Sequence, residues 1–253
     1  MSNETNASDQ TPSQPDVAQT DTISIARQAI VDDKGKVFGY ELFDRKRRFG
    51  EHDTSSDAQL LFSVLSRTDT ATLVGKRTMF INCAHESLGS EFLELVEPDR
   101  IVLEVPPVKG NDPAVILQAV QGLTDAHARG FRLAFNNTVL TAPYAAWLPL
   151  ASFIKIDLLT LKADLVGHVI ALAQKKKPDA SIIVEKVETA EQHKQAAALG
   201  VRLFQGYWFS RPVLEASKNI KPAHAVIIQL INAVRKGAST EQIEEVLKRD
   251  ATL

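Results

Sequence analysis

From residue 23 to residue 212 short apolar runs alternate with longer stretches of helical period. The runs at 25–31, 37–44, 78–84, 101–105, 132–136, 153–158, 182–187 and 203–209 predict eight strands. Several are apolar at nearly every position, such as Ile101-Val102-Leu103 and Ile182-Ile183-Val184. A strand reads that way when both its faces are covered, as in a parallel sheet wrapped by helices. Between the runs, 58–73, 113–128, 162–176 and 189–199 repeat their apolar residues at helical spacing. Lys175-Lys176-Lys177 before Pro178 ends one helix with cations over its negative pole. Gly130 and Gly200 stand where a left-handed cap hands a helix over to a strand. Only Asp32–Lys36, with Asp33-Lys34-Gly35 as turn chemistry, separates the first two strands, so these form an antiparallel hairpin. The pattern predicts an α/β fold: a TIM-like (β/α)8 barrel with an antiparallel opening hairpin, spanning residues 23–213.

The flanks read differently. Residues 1–22 are rich in Ser, Thr, Asn, Gln, Asp and Pro, too polar to offset the entropy of ordering, and predict a disordered tail without signal-peptide character. Residues 214–253 predict a helical extension, with one helix at 223–234 and a second at 241–248 behind a Ser239–Gln242 capping box. With 44% hydrophobic and 24% charged residues the 253-residue chain has an ordinary globular composition. A net charge of -2 gives no bulk attraction for nucleic acid or an anionic membrane, and no apolar run is long enough to span a bilayer. The single cysteine, Cys83, follows Met79-Phe80-Ile81 and reads as a packed residue in a protein of a reducing, cytoplasmic compartment. The six histidines lack metal-ligand spacing, and Trp147 and Trp208 read as packing residues.

The chemistry lies in the polar residues that end the strands: Glu41, Asn82, Glu104, Asn136, Lys155, Glu185 and Gln205. They recur at a spacing near the ~30 residues of one strand–helix–strand unit. In a barrel such residues meet at one end, where TIM-type sites lie. Oxygen donors of this kind suit Mg²⁺, Mn²⁺ or Ca²⁺.

At these residues the chain resembles the EAL domains, the cyclic di-GMP phosphodiesterases. Arg27-Gln28-Ala29-Ile30-Val31 with Gly39-Tyr40-Glu41-Leu42-Phe43-Asp44-Arg45 is similar to the family's opening. Ile81-Asn82, Leu103-Glu104, Ile154-Lys155-Ile156-Asp157, Val184-Glu185-Lys186-Val187-Glu188-Thr189 and Phe204-Gln205-Gly206-Tyr207-Trp208-Phe209 follow in the family's order. The opening and the C-terminal helices look most like the subgroup in which an EAL domain precedes an HDOD domain, with 241–253 resembling that domain's start.

The resemblance implies metal ligands at Glu41, Asn82 and Glu104, a catalytic lysine at Lys155 and a further acid at Glu185. It implies ligand contacts at Gln28, Arg45 and Gln205. It also marks departures. Asn136 and Asn137 stand where the family has two aspartates, Thr138-Val139 where Phe-Gly follows, and Pro107 where a second acid lies. Two neutral amides remove two negative charges from the point between paired ions, and with them the means of activating the attacking water. The expectation is therefore a non-catalytic EAL-like signalling protein, not an enzyme, with no resident cofactor beyond weak residual Mg²⁺ at Glu41 and Glu104. It acts through protein partners or a homodimer, in a cyclic di-GMP or motility pathway. The alternative is a sensor that binds cyclic di-GMP without hydrolysing it.

Overall fold

The computed structural model describes residues 25–44, 75, 77–90, 93, 96, 98–210, 213–214, 239 and 242. The tail 1–22, the helix at 58–73, Arg45 and the C-terminal helices lie outside these residues. Ser239 and Gln242 are within them and exchange both hydrogen bonds of the capping box.

Among the described residues nine strands form one sheet, and the first eight of them close into a barrel. In chain order they are β1 (Ile25–Asp32), β2 (Val37–Asp44), β3 (Thr78–Asn82), β4 (Ile101–Glu104), β5 (Arg132–Asn136), β6 (Ala151–Asp157), β7 (Ser181–Glu185), β8 (Leu203–Phe204) and β9 (Val213–Leu214). Pairing from β2 to β8 follows chain order and is parallel. β1 closes the barrel, antiparallel to both β2 and β8. Its turn is made by the Asp32 carboxylate, which accepts from the N–H of Lys34 and Lys36, and by Gly35 at φ 76°. β9 adds a short antiparallel rung to β1 at Ala26 and Arg27.

Three described α-helices cover the outside: α1 (Pro113–Ala128), α2 (Ala163–Lys176) and α3 (Ala190–Ala198). α1 starts at Asp112, whose side chain accepts from the Ala114 N–H with Pro113 in the first turn. α3 starts in a Thr189–Gln192 capping box. Gly130 and Gly200 end α1 and α3 at φ 94° and 87°, as their positions predict. Between β5 and β6 the chain makes three 3-10 turns, with Pro143 and Pro149 denying a continuous helix. Among the described residues no helix is long and apolar enough to cross a membrane.

The strands alternate their side chains between two cores. Outward-facing Ile81, Leu103, Leu133, Phe135, Ile154 and Val184 pack with the covering helices and turns. Inward-facing Ile30, Phe80, Val102, Ala134, Phe153, Ile183 and Leu203 fill the barrel. Phe80 and Phe153 meet edge to face there, ring centres 5.1 Å apart, with Phe38 tilted against both. Gly39 makes room for this plug, since a Cβ there would lie 2.6 Å from the Thr78 carbonyl oxygen and 3.3 Å from the Phe80 ring.

Candidate active site at the barrel mouth

Side chains alternate along a strand, so the residue two beyond each plug residue points to the same axis, one layer nearer the mouth. Phe80 leads to Asn82, Val102 to Glu104, Ala134 to Asn136, Phe153 to Lys155 and Ile183 to Glu185. β1 runs the other way, so Ile30 leads back to Gln28, which pairs with Glu41. The polar residues singled out at strand ends are thus one layer of a barrel. Glu41, Asn82, Glu104, Asn136, Lys155 and Glu185 all line a cavity of about 200 Å³ at the carboxyl ends of the parallel strands.

Lys155 stands at the centre. Its ammonium donates to Glu104 Oε1 and Oε2, both at 2.6 Å, and to Glu41 Oε2 at 3.3 Å, and pairs with Glu185 Oε1 at 2.7 Å. Glu41, Glu104 and Lys155 are all buried. Three carboxylates against one ammonium leave two negative charges uncompensated when all are ionised. Burial, then repulsion from Glu41, pushes the Glu104 carboxyl up to about 8 against the pull of Lys155. Burial raises Glu185 as well. Burial would also raise Glu41, but Lys155 and a hydrogen bond from Gln205 outweigh it and hold that carboxyl below its ordinary range. Burial opposes the charge on Lys155, yet the three glutamates together keep the ammonium protonated well above the usual lysine range.

Beneath Glu41 the Gln205 amide donates to Glu41 Oε2 at 2.6 Å and to Gln28 Oε1 at 3.1 Å. Both glutamines are buried and fix the carboxylate's orientation, a supporting role under the cavity wall. Gln205 Oε1 is itself buried without a hydrogen-bond partner.

Asn136 lines the cavity, but its side-chain oxygen accepts from the Thr138 N–H at 3.1 Å and from the Thr138 hydroxyl, capping the 3-10 turn that follows β5. Asn137 is the first residue of that turn and does not line the cavity. Pro107 lies on the apolar part of the wall, beside Pro106 and Val105.

Two wall residues escape the strand-end pattern: Asp157 and Lys186. Asp157 is two residues beyond Lys155 on the inward face, a signal that the same alternation contains. Lys186 follows β7 at φ 58°, a backbone conformation that sequence alone does not announce for a lysine. One expectation is corrected here. Trp147 is buried, with its indole N–H on the Ile116 carbonyl, but Trp208 is half exposed. Past Gly206 the chain turns, with the Trp208 N–H on the Val187 carbonyl, and the ring leaves the barrel wall.

The donor set bears on a metal. Among the described residues no three His, Cys, Asp or Glu side chains form a ready cluster, and the Lys155 ammonium stands between Glu41, Glu104 and Glu185. The donors are nevertheless hard oxygens, and when all three carboxylates are ionised their charge exceeds that of Lys155 by two. That chemistry fits one divalent cation at Glu41, Asn82 and Glu104.

A closed eight-stranded barrel with an antiparallel opening strand and this polar layer is an EAL-type fold, and known structures agree. BlrP1 from Klebsiella pneumoniae, solved as a calcium and cyclic di-GMP complex, superposes with a TM-score of 0.60 at 21% identity, over 80% of this chain and 58% of that one. YkuI from Bacillus subtilis, solved with its substrate cyclic di-GMP and calcium, gives 0.59 at 19% identity, over 93% of this chain and 73% of that one. No family model matches the chain. Among curated proteins, the cyclic di-GMP phosphodiesterase CdgJ of Vibrio cholerae is 27% identical over 239 residues, covering 92% of this chain. This chain spans 54% of that relative's length.

That alignment overturns the expectation that the chain is not an enzyme: a named phosphodiesterase matches it through the whole barrel. The physical reason lies in the acids. The expectation weighed the two amides at Asn136 and Asn137, yet Asn137 is outside the cavity, and Glu41, Glu104 and Glu185 are brought together with charge to spare.

Proposed function

We propose that the barrel mouth binds cyclic di-GMP and hydrolyses one of its phosphodiester bonds to give the linear dinucleotide. The observation that carries this reading is the convergence of Glu41, Glu104 and Glu185 on Lys155 in one cavity at the carboxyl ends of the strands. Glu41, Asn82 and Glu104 would hold a divalent ion, which when bound would supply charge neutralisation for the phosphodiester and acidity for the attacking water. Lys155 keeps the three carboxylates facing one another and, as a cation that stays protonated, steadies negative charge developing on the phosphoryl oxygens. Gln205 and Gln28 hold Glu41 in place.

With that activity the chain acts in cyclic di-GMP signalling in the cytoplasm. A protein partner or a second copy, where one is engaged, has to leave the mouth open to ligand. The test is direct. Purified protein with cyclic di-GMP and Mg²⁺ or Mn²⁺ should yield linear product, and Glu104→Gln should lower the rate at least a hundredfold. Absence of product from wild type at stoichiometric enzyme sinks the proposal.

A further inference from the structure

Lys186 is a lysine in a left-handed backbone conformation on the wall of the candidate site. A non-glycine residue pays for that conformation in steric strain, and such residues persist where the surroundings over-determine them and cluster at ligand sites. Here the surroundings do so. The Glu185 carbonyl accepts from the Leu158 N–H at 3.2 Å, the Val187 N–H donates to the Gln205 carbonyl at 3.0 Å, and the Val187 carbonyl accepts from the Trp208 N–H at 3.0 Å. On the far side Gly206 lies so close that a Cβ would stand 2.2 Å from the Val187 oxygen. The backbone on either side of Lys186 is therefore fixed by β6 and by the turn after β8, and the residue is held partly buried on the cavity wall.

Among the described residues the cavity wall carries two cations, Lys186 and Lys155, and the Lys155 ammonium is shared among three glutamates. A phosphodiester entering this site meets carboxylates below and an apolar wall of prolines to one side. Lys186, next in sequence to Glu185, is the second positive group described on that wall.

We infer that Lys186 is a ligand-contacting residue whose ammonium binds a non-bridging oxygen of the phosphodiester and offsets the acids of the cavity as the anion enters. The inference rests on the proposed reading of the site. It assigns Lys186 to binding more than to bond breaking, so its loss should raise KM and leave kcat within a few-fold.

Two neutral variants suit the backbone: Lys186→Gly, for which positive φ is unstrained, and Lys186→Asn, which tolerates it. Both should keep Tm within about 2 °C of wild type or above it. Titrating cyclic di-GMP in calcium buffer, both should weaken Kd about tenfold or more, and Lys186→Arg should stay within about threefold. Wild-type affinity in both neutral variants overturns the inference and leaves the proposed function standing. Weaker binding joined to a Tm loss above about 4 °C in both marks Lys186 as structural and also overturns it. A wild type that neither binds nor cleaves cyclic di-GMP removes the reading itself and the inference with it.

Discussion

Asn136 and Glu104 set the character of the site one residue at a time. The Asn136 oxygen is committed to Thr138, so its first contribution is to the turn after β5. Asn136→Asp can keep that cap while adding a charge to a cluster already short of cations. We expect tighter binding of Mn²⁺, on the order of tenfold, read by calorimetry with wild type alongside. Glu104 sets the pH response. Its carboxyl is raised from 4.5 to about 8 in the folded chain. Between those values the folded state therefore binds more protons than the unfolded state, and stability falls as pH rises. In chelator, Tm should drop from pH 5 to pH 8, and Glu104→Gln, which cannot titrate, should flatten that slope. An unchanged slope in the variant refutes the assignment. Lys155→Met removes the cation between three acids, two of them buried, and should cost about 3–5 kcal/mol at pH 8, less at pH 5 where the acids take up protons.

At the scale of elements, most of the barrel was legible, because periodicity reports burial and burial is what the sheet imposes. β1, β2, β5 and the three described helices lie within a residue or two of their predicted limits. β3, β4 and β7 stop earlier than their apolar runs, each at an inward polar residue: Asn82, Glu104 and Glu185. Past that layer Val105 and Val187 stay buried and each donates one backbone hydrogen bond to its neighbour, to the Ala134 and Gln205 carbonyls, outside the regular strands. β8 is shorter still, two residues of the predicted seven, because Gly206 turns the chain against Val187. β9 was invisible, since two residues carry no period. The inward layer of the site was readable from strand ends, whereas Lys186 was not, since its place depends on a backbone conformation set by neighbours distant in sequence. The same reasoning gives Gly39→Ala a cost of about 1–3 kcal/mol by chemical denaturation, from the contact its Cβ would make with the Thr78 carbonyl.

For the whole molecule, the proposed cation site would link stability to cation binding through the acids at the mouth. Mn²⁺ or Mg²⁺ should raise Tm by an amount that grows from pH 6 to pH 9, because protons and cations compete for the same carboxylates. The shift should vanish in Glu41→Gln and in Glu104→Gln. A shift that persists in both variants places the cation elsewhere.

β1 sits between β2 and β8 and pairs Asp32 with Leu203. That rung joins residues far apart in the chain, so closing the barrel requires a loop of nearly the full domain length, a slow step in folding. On a ribosome the opening hairpin must wait, with one edge unpaired, until β8 has emerged. During that wait the edge is open to pairing with another chain. Pulsed hydrogen exchange during refolding should protect β4 to β7 before the β1–β8 rungs; simultaneous protection would show that closure is not the last step. The strand that frames the polar layer is, in time, also the strand that leaves the young chain most exposed to aggregation.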